Sequence, residues 1–291
     1  MQEILRGLFV LTVAMNAGCS TGAYSIAMGG NAENLEESVC GSIKEPLAFW
    51  MWSYAAGNPD PEAATKLPNV EPLEHKTKDG RLLRGYKLKS MLPGGNIIGS
   101  VLVAQGNAML ADQLLSSLVA FSKAGIEVYI FDYRGYGRSE GQRRLKAIVS
   151  DYEELSISIA AATHRKLSLY GMSFGGVVLL KAVNSGIGFH RGVIDSTPSR
   201  VSNEGCPQEY DPVSNFPEDG ADFLLVAGAR DKVVTLKDSQ ELIELAKARG
   251  SRTEVHSDYA HPYMDSDSRV RQSRQELIRS FLLATKSQDA P

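Results

Sequence analysis

The sequence feature with the clearest chemistry is a serine between two glycines, in the segment Gly171-Met-Ser173-Phe-Gly175. The apolar run 167–170 before it predicts a buried strand, and the apolar residues after it predict a helix. A chain that passes from strand to helix within so few residues strains the central position and crowds its neighbours, so glycine is required on both sides. We therefore expect Ser173 to hold its hydroxyl clear of the sheet as a nucleophile.

A serine hydroxyl is a weak nucleophile near neutral pH, so it needs a base to accept its proton and a carboxylate to orient that base. Asp231 lies at the turn that ends the strand pattern of residues 222–234, and His261 lies in a loop after the strand candidate 253–257. Open α/β sheets bind ligands at the carboxyl ends of their strands, where these side chains are expected.

Other residues could take two of these roles. Asp195, at the end of the strand candidate 192–195, is a second carboxylate that could reach the histidine, and Asp231 could instead cap the following helix. His256 falls inside a strand pattern, which directs it to the core or to solvent. Position along the chain favours Asp231 and His261, with Asp195 as the alternative acid.

Attack by serine on a carbonyl creates an oxyanion, which needs two backbone N–H donors. One is the amide of the residue after the nucleophile, Phe174, with the amide of Met172 as the alternative. The second comes from the loop after an earlier strand. The strand candidate 97–104, followed by Gln105-Gly-Asn-Ala108, fits that position.

The chain order Ser173, Asp231, His261, together with the glycine-flanked serine, resembles the α/β-hydrolase superfamily. The chain is similar to the branch that contains serine aminopeptidases and monoacylglycerol-lipase-like or acyl-protein-thioesterase-like enzymes. In that branch the oxyanion loop usually has the sequence His-Gly-Asn-Ala. The resemblance implies that the amide of Asn107 is the second donor, and it places Gln105 where histidine is usual.

The segment 127–141 resembles the strand and turn beside the oxyanion loop in the same branch. Glu140 stands where a dinucleotide-binding loop requires glycine, so we predict no dinucleotide cofactor. We expect Asp132, Arg134 and Arg138 to form a polar network that holds the turn. The spacing of histidines and cysteines predicts no metal site, and a net charge of −3 with dispersed Lys and Arg does not favour nucleic acid as a partner.

Alternating strand and helix patterns predict an α/β fold, with a mostly parallel central sheet and helices on both faces, in a domain of residues 70–286. Helices are predicted over about 109–123, 146–163, 174–185, 235–249 and 266–284. The segment Thr197–Ala221 is too short for a large cap domain, so we expect a minimal lid and an open site.

This short segment is acidic, with no lysine or arginine between Val201 and Ala221. Its carboxylates are Glu204, Glu209, Asp211, Glu218 and Asp219. An acidic rim would suit the ammonium group of an aminopeptidase substrate, and a solvated surface loop is the alternative.

Residues 1–19 predict a signal peptide of the lipoprotein type. The apolar run 7–15 is too short to span a bilayer but has the length of a signal-peptide core, and small residues precede Cys19. We expect export, with Cys19 lipidated and the protein anchored on the periplasmic or cell-surface side of a bacterial membrane. The alternative is an apolar N-terminal helix packed on the domain.

The chain has three cysteines. If Cys19 is lipidated, Cys40 and Cys206 remain as a pair in an oxidising compartment, where a disulfide would pin the N-terminal extension, residues 20–69, beside the site. Two buried free thiols are the alternative. The end of the extension, residues 59–72, is rich in proline and acids and predicts a linker.

A segment of the extension, residues 46–56, contains both tryptophans of the chain and predicts a helix. Phe49 and Trp52 share one face of that helix, and Trp50 and Tyr54 share another. We expect the helix to pack on the domain, with an acyl-chain groove or contact with lipid headgroups as sharper hypotheses.

The sequence thus predicts a serine hydrolase that cleaves a carboxylic ester or thioester, of a small molecule or a lipid, through an acyl-enzyme and without a cofactor. The absence of a large cap favours esters over amides. A serine peptidase of the same fold is the first alternative. A non-catalytic binding protein that kept the fold is the second, and Gln105 is the feature that leaves it open.

Overall fold

Alternation of strands and helices builds an eight-stranded sheet in the computed structural model, which describes residues 34–165 and 167–284. The strands, in chain order, are β1 (Val70–Lys76), β2 (Leu82–Leu88), β3 (Gly99–Ala104), β4 (Ile126–Phe131), β5 (Leu167–Met172), β6 (Gly192–Asp195), β7 (Phe223–Gly228) and β8 (Arg252–His256). The helices are α1 (Lys44–Ala56), α2 (Pro61–Thr65), α3 (Ala111–Lys123), α4 (Leu145–Thr163), α5 (Phe174–Asn184), α6 (Pro212–Asn215), α7 (Leu236–Ala248) and α8 (Ser268–Leu283). Short 3₁₀ turns lie at Pro93–Gly95, Ser202–Glu204 and Gln208–Tyr210.

The strand order across the sheet is β1-β2-β4-β3-β5-β6-β7-β8. β1 pairs antiparallel with β2, and β2 pairs antiparallel with β4, whereas the pairings from β4 to β8 are parallel. Parallel neighbours need a crossover connection, and α3 to α7 provide the crossovers. The predicted mostly parallel sheet is confirmed.

Alternate residues of the central strands face opposite sides of the sheet and form two cores. Leu102 and Leu169 lie in the core covered by α4 and α5, while Val101 and Val103 lie in the core covered by α3 and α8. Because the central strands are buried on both sides, their sequences are continuous apolar runs. The prediction of helices on both faces is confirmed.

The observed helix bounds differ from the predicted ones by at most two residues. The linker predicted over residues 59–72 is wrong, because Pro61–Thr65 is helical and β1 begins at Val70. Pro72 is compatible with a strand because β1 is an edge strand, where a missing N–H costs little. Among the described residues no helix has the length and apolar character needed to cross a membrane. The predicted signal peptide lies outside the described residues.

Parallel pairing places the carboxyl ends of β3 to β8 at one edge of the sheet. The loops after β3, β5, β7 and β8 contain Gln105, Ser173, Asp231 and His261, in that order. This edge is where open α/β sheets bind ligands.

Candidate active site

Ser173 lies at the turn between β5 and α5. Its backbone has φ 53° and ψ −117°, a conformation that costs a non-glycine residue about 1–3 kcal/mol. Main-chain contacts hold it there: the Ser173 N–H donates to the Asp195 carbonyl at 2.8 Å, and the Ser173 carbonyl accepts from the Thr197 hydroxyl at 3.1 Å. The residue is partly exposed, as a nucleophile must be.

The flanking glycines are required because backbone approaches them closely. A Cβ on Gly171 would lie 2.8 Å from the carbonyl oxygen of Gly175. A Cβ on Gly175 would lie 1.9 Å from the carbonyl oxygen of Ala104 in β3. Both contacts are with backbone, which cannot move aside, so the predicted need for glycine at both positions is confirmed.

His261 and Asp231 form a buried hydrogen bond, with 2.8 Å between Nδ1 of the ring and Oδ2 of the carboxylate. Because an ionised carboxylate can only accept, Nδ1 holds the proton, and in the neutral ring Nε2 then has the free lone pair. That tautomer is the one a general base needs to accept a proton from serine.

The other carboxylate oxygen of Asp231 accepts from the amides of Val233 at 2.8 Å and Val234 at 2.9 Å. Burial by itself raises the pKa of Asp231, but the bond and charge of His261 together with these amides outweigh it and hold that pKa below its usual range. The capping alternative is not observed, because the N-cap of α7 is Thr235. Asp231 is therefore an ionised group aimed at the ring.

The alternative acid and base have other partners. Asp195 is fully buried and accepts from the Tyr170 hydroxyl at 3.2 Å. His256 accepts through Nδ1 from the backbone amide two residues on, at 3.1 Å. The structure therefore pairs His261 with Asp231 and leaves both alternatives outside that pair.

The predicted oxyanion loop lies against Ser173. A Cβ on Gly106 would be 3.7 Å from Cβ of Ser173, so the backbone that leads into Asn107 passes directly beside the serine. The side-chain oxygen of Asn107 accepts from the Tyr136 hydroxyl at 2.7 Å. That contact ties the loop to the buried turn after β4, which keeps its amides in place.

Phe174 and Met172, on either side of Ser173, differ in whether their backbone N–H is available to an oxyanion. Phe174 is the first residue of α5, where an N–H has no partner within the helix and the helix dipole favours negative charge. Met172 is the last residue of β5, and only 1% of it is exposed. The geometry therefore favours Phe174 over Met172 as an oxyanion donor.

Gln105, which stands where the resembled branch has histidine, is fully buried. Its Nε2 donates to the Phe131 carbonyl at 2.8 Å, and its Oε1 accepts from the Tyr152 hydroxyl at 3.4 Å. Its main-chain carbonyl accepts from the Tyr133 hydroxyl at 2.5 Å. Glutamine thus fixes the start of the oxyanion loop to β4 and α4 by neutral hydrogen bonds.

Comparisons with known proteins agree with this fold. Residues 95–209 match the family model described as serine aminopeptidase, S33. The esterase Pf2001 of Pyrococcus furiosus superposes with a TM-score of 0.61 at 17% identity, over 78% of this chain and 95% of that chain. XC6422 of Xanthomonas campestris, described as an α/β serine hydrolase without a lid, gives a TM-score of 0.59 at 19% identity, over 75% and 97% of the two chains. These likenesses, together with the strand order of the sheet, show that the chain has the α/β-hydrolase fold.

The chain also has sequence relatives of similar length. The uncharacterized protein YfhR of Escherichia coli O157:H7 is 28% identical over 258 residues, which cover 79% of this chain and 85% of YfhR. Between β6 and β7 the chain has only α6 and two 3₁₀ turns, so the prediction of a minimal lid is confirmed.

A cluster that was not predicted from the sequence holds the loop that contains His261. Arg274 of α8 donates to the Ala260 carbonyl at 2.8 Å and pairs with Asp265 at 3.1 Å, while Asp265 accepts from the Ala260 amide at 2.7 Å. Both main-chain groups of the residue before His261 are thereby fixed. A signal was present, since Arg274 lies four residues from Ile278 on the apolar face of α8, where a charge needs a buried partner.

The same arginine reaches the strand that supports Ser173. Its guanidinium lies 3.7 Å from the carboxylate of Asp195, whose main-chain carbonyl accepts from the Ser173 amide. Burial raises the pKa of Asp195, although the charges of Arg274 and His261 act in the opposite direction. Asp195, the alternative acid, therefore supports the backbone of Ser173 and does not orient the histidine.

The polar network predicted for the turn after β4 is present. Arg134 is fully buried and pairs with Asp151 and Asp79. Asp132 accepts hydrogen bonds from backbone amides, among them that of Arg138 at 3.4 Å. Arg138 is itself exposed and donates to Asp132 through its main-chain amide. Burial raises the pKa of Asp132 to about 6, and the charge of Arg138 acts in the opposite direction.

The N-terminal extension packs on Phe174, the residue that follows Ser173. Phe49 of α1 meets Phe174 edge to face, with ring centroids 5.5 Å apart, and Trp52 meets Phe49 in the same way at 5.3 Å. Cys40 and Cys206 form a disulfide that joins the extension to the loop after β6. The disulfide prediction is confirmed, and the alternative of two free thiols is excluded.

The acidic loop after β6 does not form an open carboxylate cluster. Three of its carboxylates pair with cations: Glu204 with Lys44, Asp211 with Arg200 and Glu218 with Arg249. Asp211 is also fully buried, where it accepts from the amide and hydroxyl of Ser202. In residues 34–165 and 167–284, no group of three or more His, Cys, Asp or Glu side chains could hold a metal ion.

Proposed function

We propose that this α/β-hydrolase is a serine hydrolase that cleaves carboxylic esters or thioesters through an acyl-enzyme. Ser173 is the nucleophile, His261 the general base, Asp231 the residue that orients the base, and the amides of Asn107 and Phe174 the oxyanion donors. Substrates of this class include small-molecule esters and lipid esters.

The observation that supports this proposal best is the 2.8 Å bond between His261 and Asp231 at the sheet edge that also holds the strained Ser173. A carboxylate with a lowered pKa keeps Nδ1 protonated and Nε2 basic. If Ser173 were not a nucleophile, nothing in the reaction would require its strained backbone and its partly exposed side chain.

The reaction follows from these roles. The Ser173 hydroxyl attacks the acyl carbon as its proton passes to His261 Nε2, and the negative charge on the former carbonyl oxygen is stabilised by the two amides. The protonated ring gives its proton to the departing alkoxide or thiolate, which leaves the acyl group on the serine oxygen. Water then attacks the acyl-enzyme as its proton passes to His261. The ring returns that proton to the serine oxygen as the acyl bond breaks, which releases the acid and regenerates Ser173.

The ion pairs made by the carboxylates of the acidic loop favour esters over aminopeptidase substrates. An aminopeptidase must hold a substrate ammonium with free carboxylates, and three of the five in this loop already have cationic partners. A serine peptidase remains the second candidate because the matching family model is described as serine aminopeptidase.

The test is labelling by a fluorophosphonate, which reacts with an activated serine. We expect wild type to be labelled, Ser173→Ala to be unlabelled, and Ser185→Ala, which removes a hydroxyl at the opposite end of α5, to be labelled like wild type. p-Nitrophenyl esters of increasing chain length and aminoacyl p-nitroanilides then separate esterase from peptidase. A folded wild-type protein that is not labelled would favour a non-catalytic binding protein.

We also propose that the protein is exported and anchored by lipid on Cys19. The Cys40–Cys206 disulfide supports an oxidising compartment, and the apolar run 7–15 before Cys19 supports a lipoprotein signal. Radiolabelled palmitate should enter the wild-type protein and not Cys19→Ser. Incorporation into neither protein, with all of the chain in the cytoplasmic fraction, would contradict this proposal.

A further inference from the structure

Helix α1 exposes an apolar face on the side opposite its contacts with the domain. Ile43, Leu47, Trp50 and Tyr54 are 79%, 52%, 54% and 78% exposed, and we call these four side chains the docking face. Their spacing of four, three and four residues places them along one line of the helix. Trp50 and Tyr54 stack, with ring centroids 5.9 Å apart.

We propose that the docking face binds the interfacial region of a phospholipid bilayer. Tryptophan and tyrosine combine an apolar ring with a polar N–H or O–H, and such side chains are enriched where a membrane meets water. A helix that lies in the plane of the interface presents its apolar residues in a line of this kind.

The helix is held rigidly in the orientation that exposes this face. Phe49 is 3% exposed and packs on Phe174 on the opposite side, and the disulfide at Cys40 anchors the turn before the helix. The docking face therefore cannot rotate into the domain to bury itself.

The charges of α1 suit a membrane surface. Its only carboxylate, Glu45, is 2% exposed and accepts from the amides of Val39, Cys40 and Leu145. The exposed side of the helix therefore presents no negative charge to lipid headgroups. Lys44 flanks the face but also pairs with Glu204, so we expect apolar burial to outweigh attraction to anionic lipid.

The sequence before the described residues favours a membrane over a second copy of the chain. Ile43 lies 24 residues after Cys19, so a chain anchored there would keep α1 within about 80 Å of the bilayer. A standard protein interface uses roughly 20–30 residues on each side, whereas the docking face offers four side chains.

The experiment uses the fact that the two tryptophans of the chain are Trp50 and Trp52. The full chain is prepared as Trp52→Phe, which leaves Trp50 as the emitter, and as Trp50→Phe, which leaves Trp52. Each is mixed with phosphatidylcholine vesicles whose acyl chains are brominated or plain. We expect Trp50 emission to shift to shorter wavelength with plain vesicles and to lose about half its intensity or more with brominated ones, with little change for Trp52.

Other occupants of the face give different results, and each would overturn the proposal. Unchanged Trp50 emission on vesicles that nevertheless bind the protein would mean that the N-terminal segment tethers it without docking of α1. Trp50 shielded from acrylamide before vesicles are added would mean that residues 1–33 cover the face. Shielding that grows with protein concentration would mean a second copy.

A polar variant supplies the matched control. Leu47→Ser combined with Tyr54→Ser removes apolar area from the face while keeping the emitter, and should weaken vesicle binding about tenfold. Ile157→Ser removes a similarly exposed side chain, 58% accessible, from α4 and should leave binding unchanged. Neither measurement depends on catalysis, so failure of the hydrolase proposal would not affect it.

Discussion

Arg274 donates a 2.8 Å hydrogen bond to the main-chain carbonyl of Ala260, the residue immediately before His261. The arginine comes from the last helix of the fold and the histidine from the loop after the last strand. Asp265, the second partner of Arg274 in this loop, accepts a hydrogen bond from the amide of the same Ala260. The position of the proposed base is therefore set by a residue that does not touch the reacting groups.

Removing this positioning residue should lower turnover more than substrate binding. We expect Arg274→Met to reduce kcat on a short p-nitrophenyl ester about 100-fold with a small change in KM, because a base displaced by about 1 Å loses much of its effect. Arg274→Lys keeps the charge and one donor and should lose less. Arg269→Met, in the same helix with a side chain 88% exposed, is the control. Equal kcat for Arg274→Met and wild type would show that the loop containing His261 keeps its position without the arginine.

Replacement of the orienting carboxylate should affect both catalysis and acid stability. Asp231→Asn can still accept from Val233 and Val234 but no longer fixes the ring tautomer, so kcat should fall about 10⁴-fold. Titrating kcat against pH for both proteins tests this, with the exposed Asp219→Asn as the control. A fall of less than tenfold would assign the orienting role elsewhere.

The pKa of Asp231 also predicts how this substitution changes stability with pH. Its folded-state pKa is lower than its unfolded-state pKa, so the unfolded chain binds more protons in acid. The stabilisation is therefore present above pH about 4 and is lost as pH falls through the folded value. In urea unfolding, the difference in free energy of unfolding between wild type and Asp231→Asn should become smaller as the pH is lowered from 7 to 3. A constant difference would mean that ionisation of Asp231 is not linked to folding.

The close approach at Gly175 predicts a sharp contrast between two glycine substitutions. Gly175→Ala places a Cβ 1.9 Å from the Ala104 carbonyl oxygen, so the turn and β3 cannot both keep their positions. We expect a loss of at least about 3 kcal/mol in the free energy of unfolding, or no soluble protein. Gly188→Ala, with nothing within 4 Å of the new Cβ, should stay within about 0.5 kcal/mol of wild type. Similar thermal midpoints for the two variants would refute the steric account.

Gln105 should be replaceable by a donor and not by an apolar residue of similar size. Gln105→Met leaves the buried Phe131 carbonyl without the Nε2 donor, which costs about 1–3 kcal/mol. Gln105→His restores a ring N–H and should retain more stability and activity. Urea unfolding and ester turnover of both variants test this ranking. Methionine performing as well as histidine would contradict it.

The disulfide predicts both a thiol count and a loss of stability. The unfolded, unreduced chain should offer no reactive thiol from Cys40 or Cys206, so Ellman titration should find at most Cys19. Replacing Cys40 and Cys206 by serine should lower the free energy of unfolding by about 2–4 kcal/mol. Cys19→Ser is the control and should not change the unfolding midpoint. Two or more thiols in the unreduced protein would exclude the bridge.

The elements that depend on local pattern could be predicted from the sequence. The turn around Ser173 was recognisable because the chain must pass from strand to helix within a few residues, which requires its glycines. The helix bounds were predictable because turn residues separate each helix from the apolar strands on either side. The strand nature of residues 70–76 was missed, since Pro72 suggests a loop unless the strand is known to lie at an edge.

The supporting contacts of the site could not be predicted in the same way. The link from Arg274 to Ala260 and Asp195 joins residues from three separate elements, and no local pattern specifies which carboxylate a buried arginine meets. The choice between Asp195 and Asp231 stayed open for the same reason. It depended on the position of the loop after β7, because Asp195 ends one parallel strand and Asp231 follows the neighbouring one.

The bridge between Cys40 and Cys206 spans 166 residues of chain. At ordinary rates of translation, the second cysteine is synthesised on the order of 10 to 30 s after the first. During that interval the earlier thiol has no native partner, and Phe49 has no Phe174 to cover. The newly synthesised N-terminal third therefore keeps its aromatic residues and its thiol unprotected until Phe174 and Cys206, both in the second half of the polypeptide, have left the ribosome.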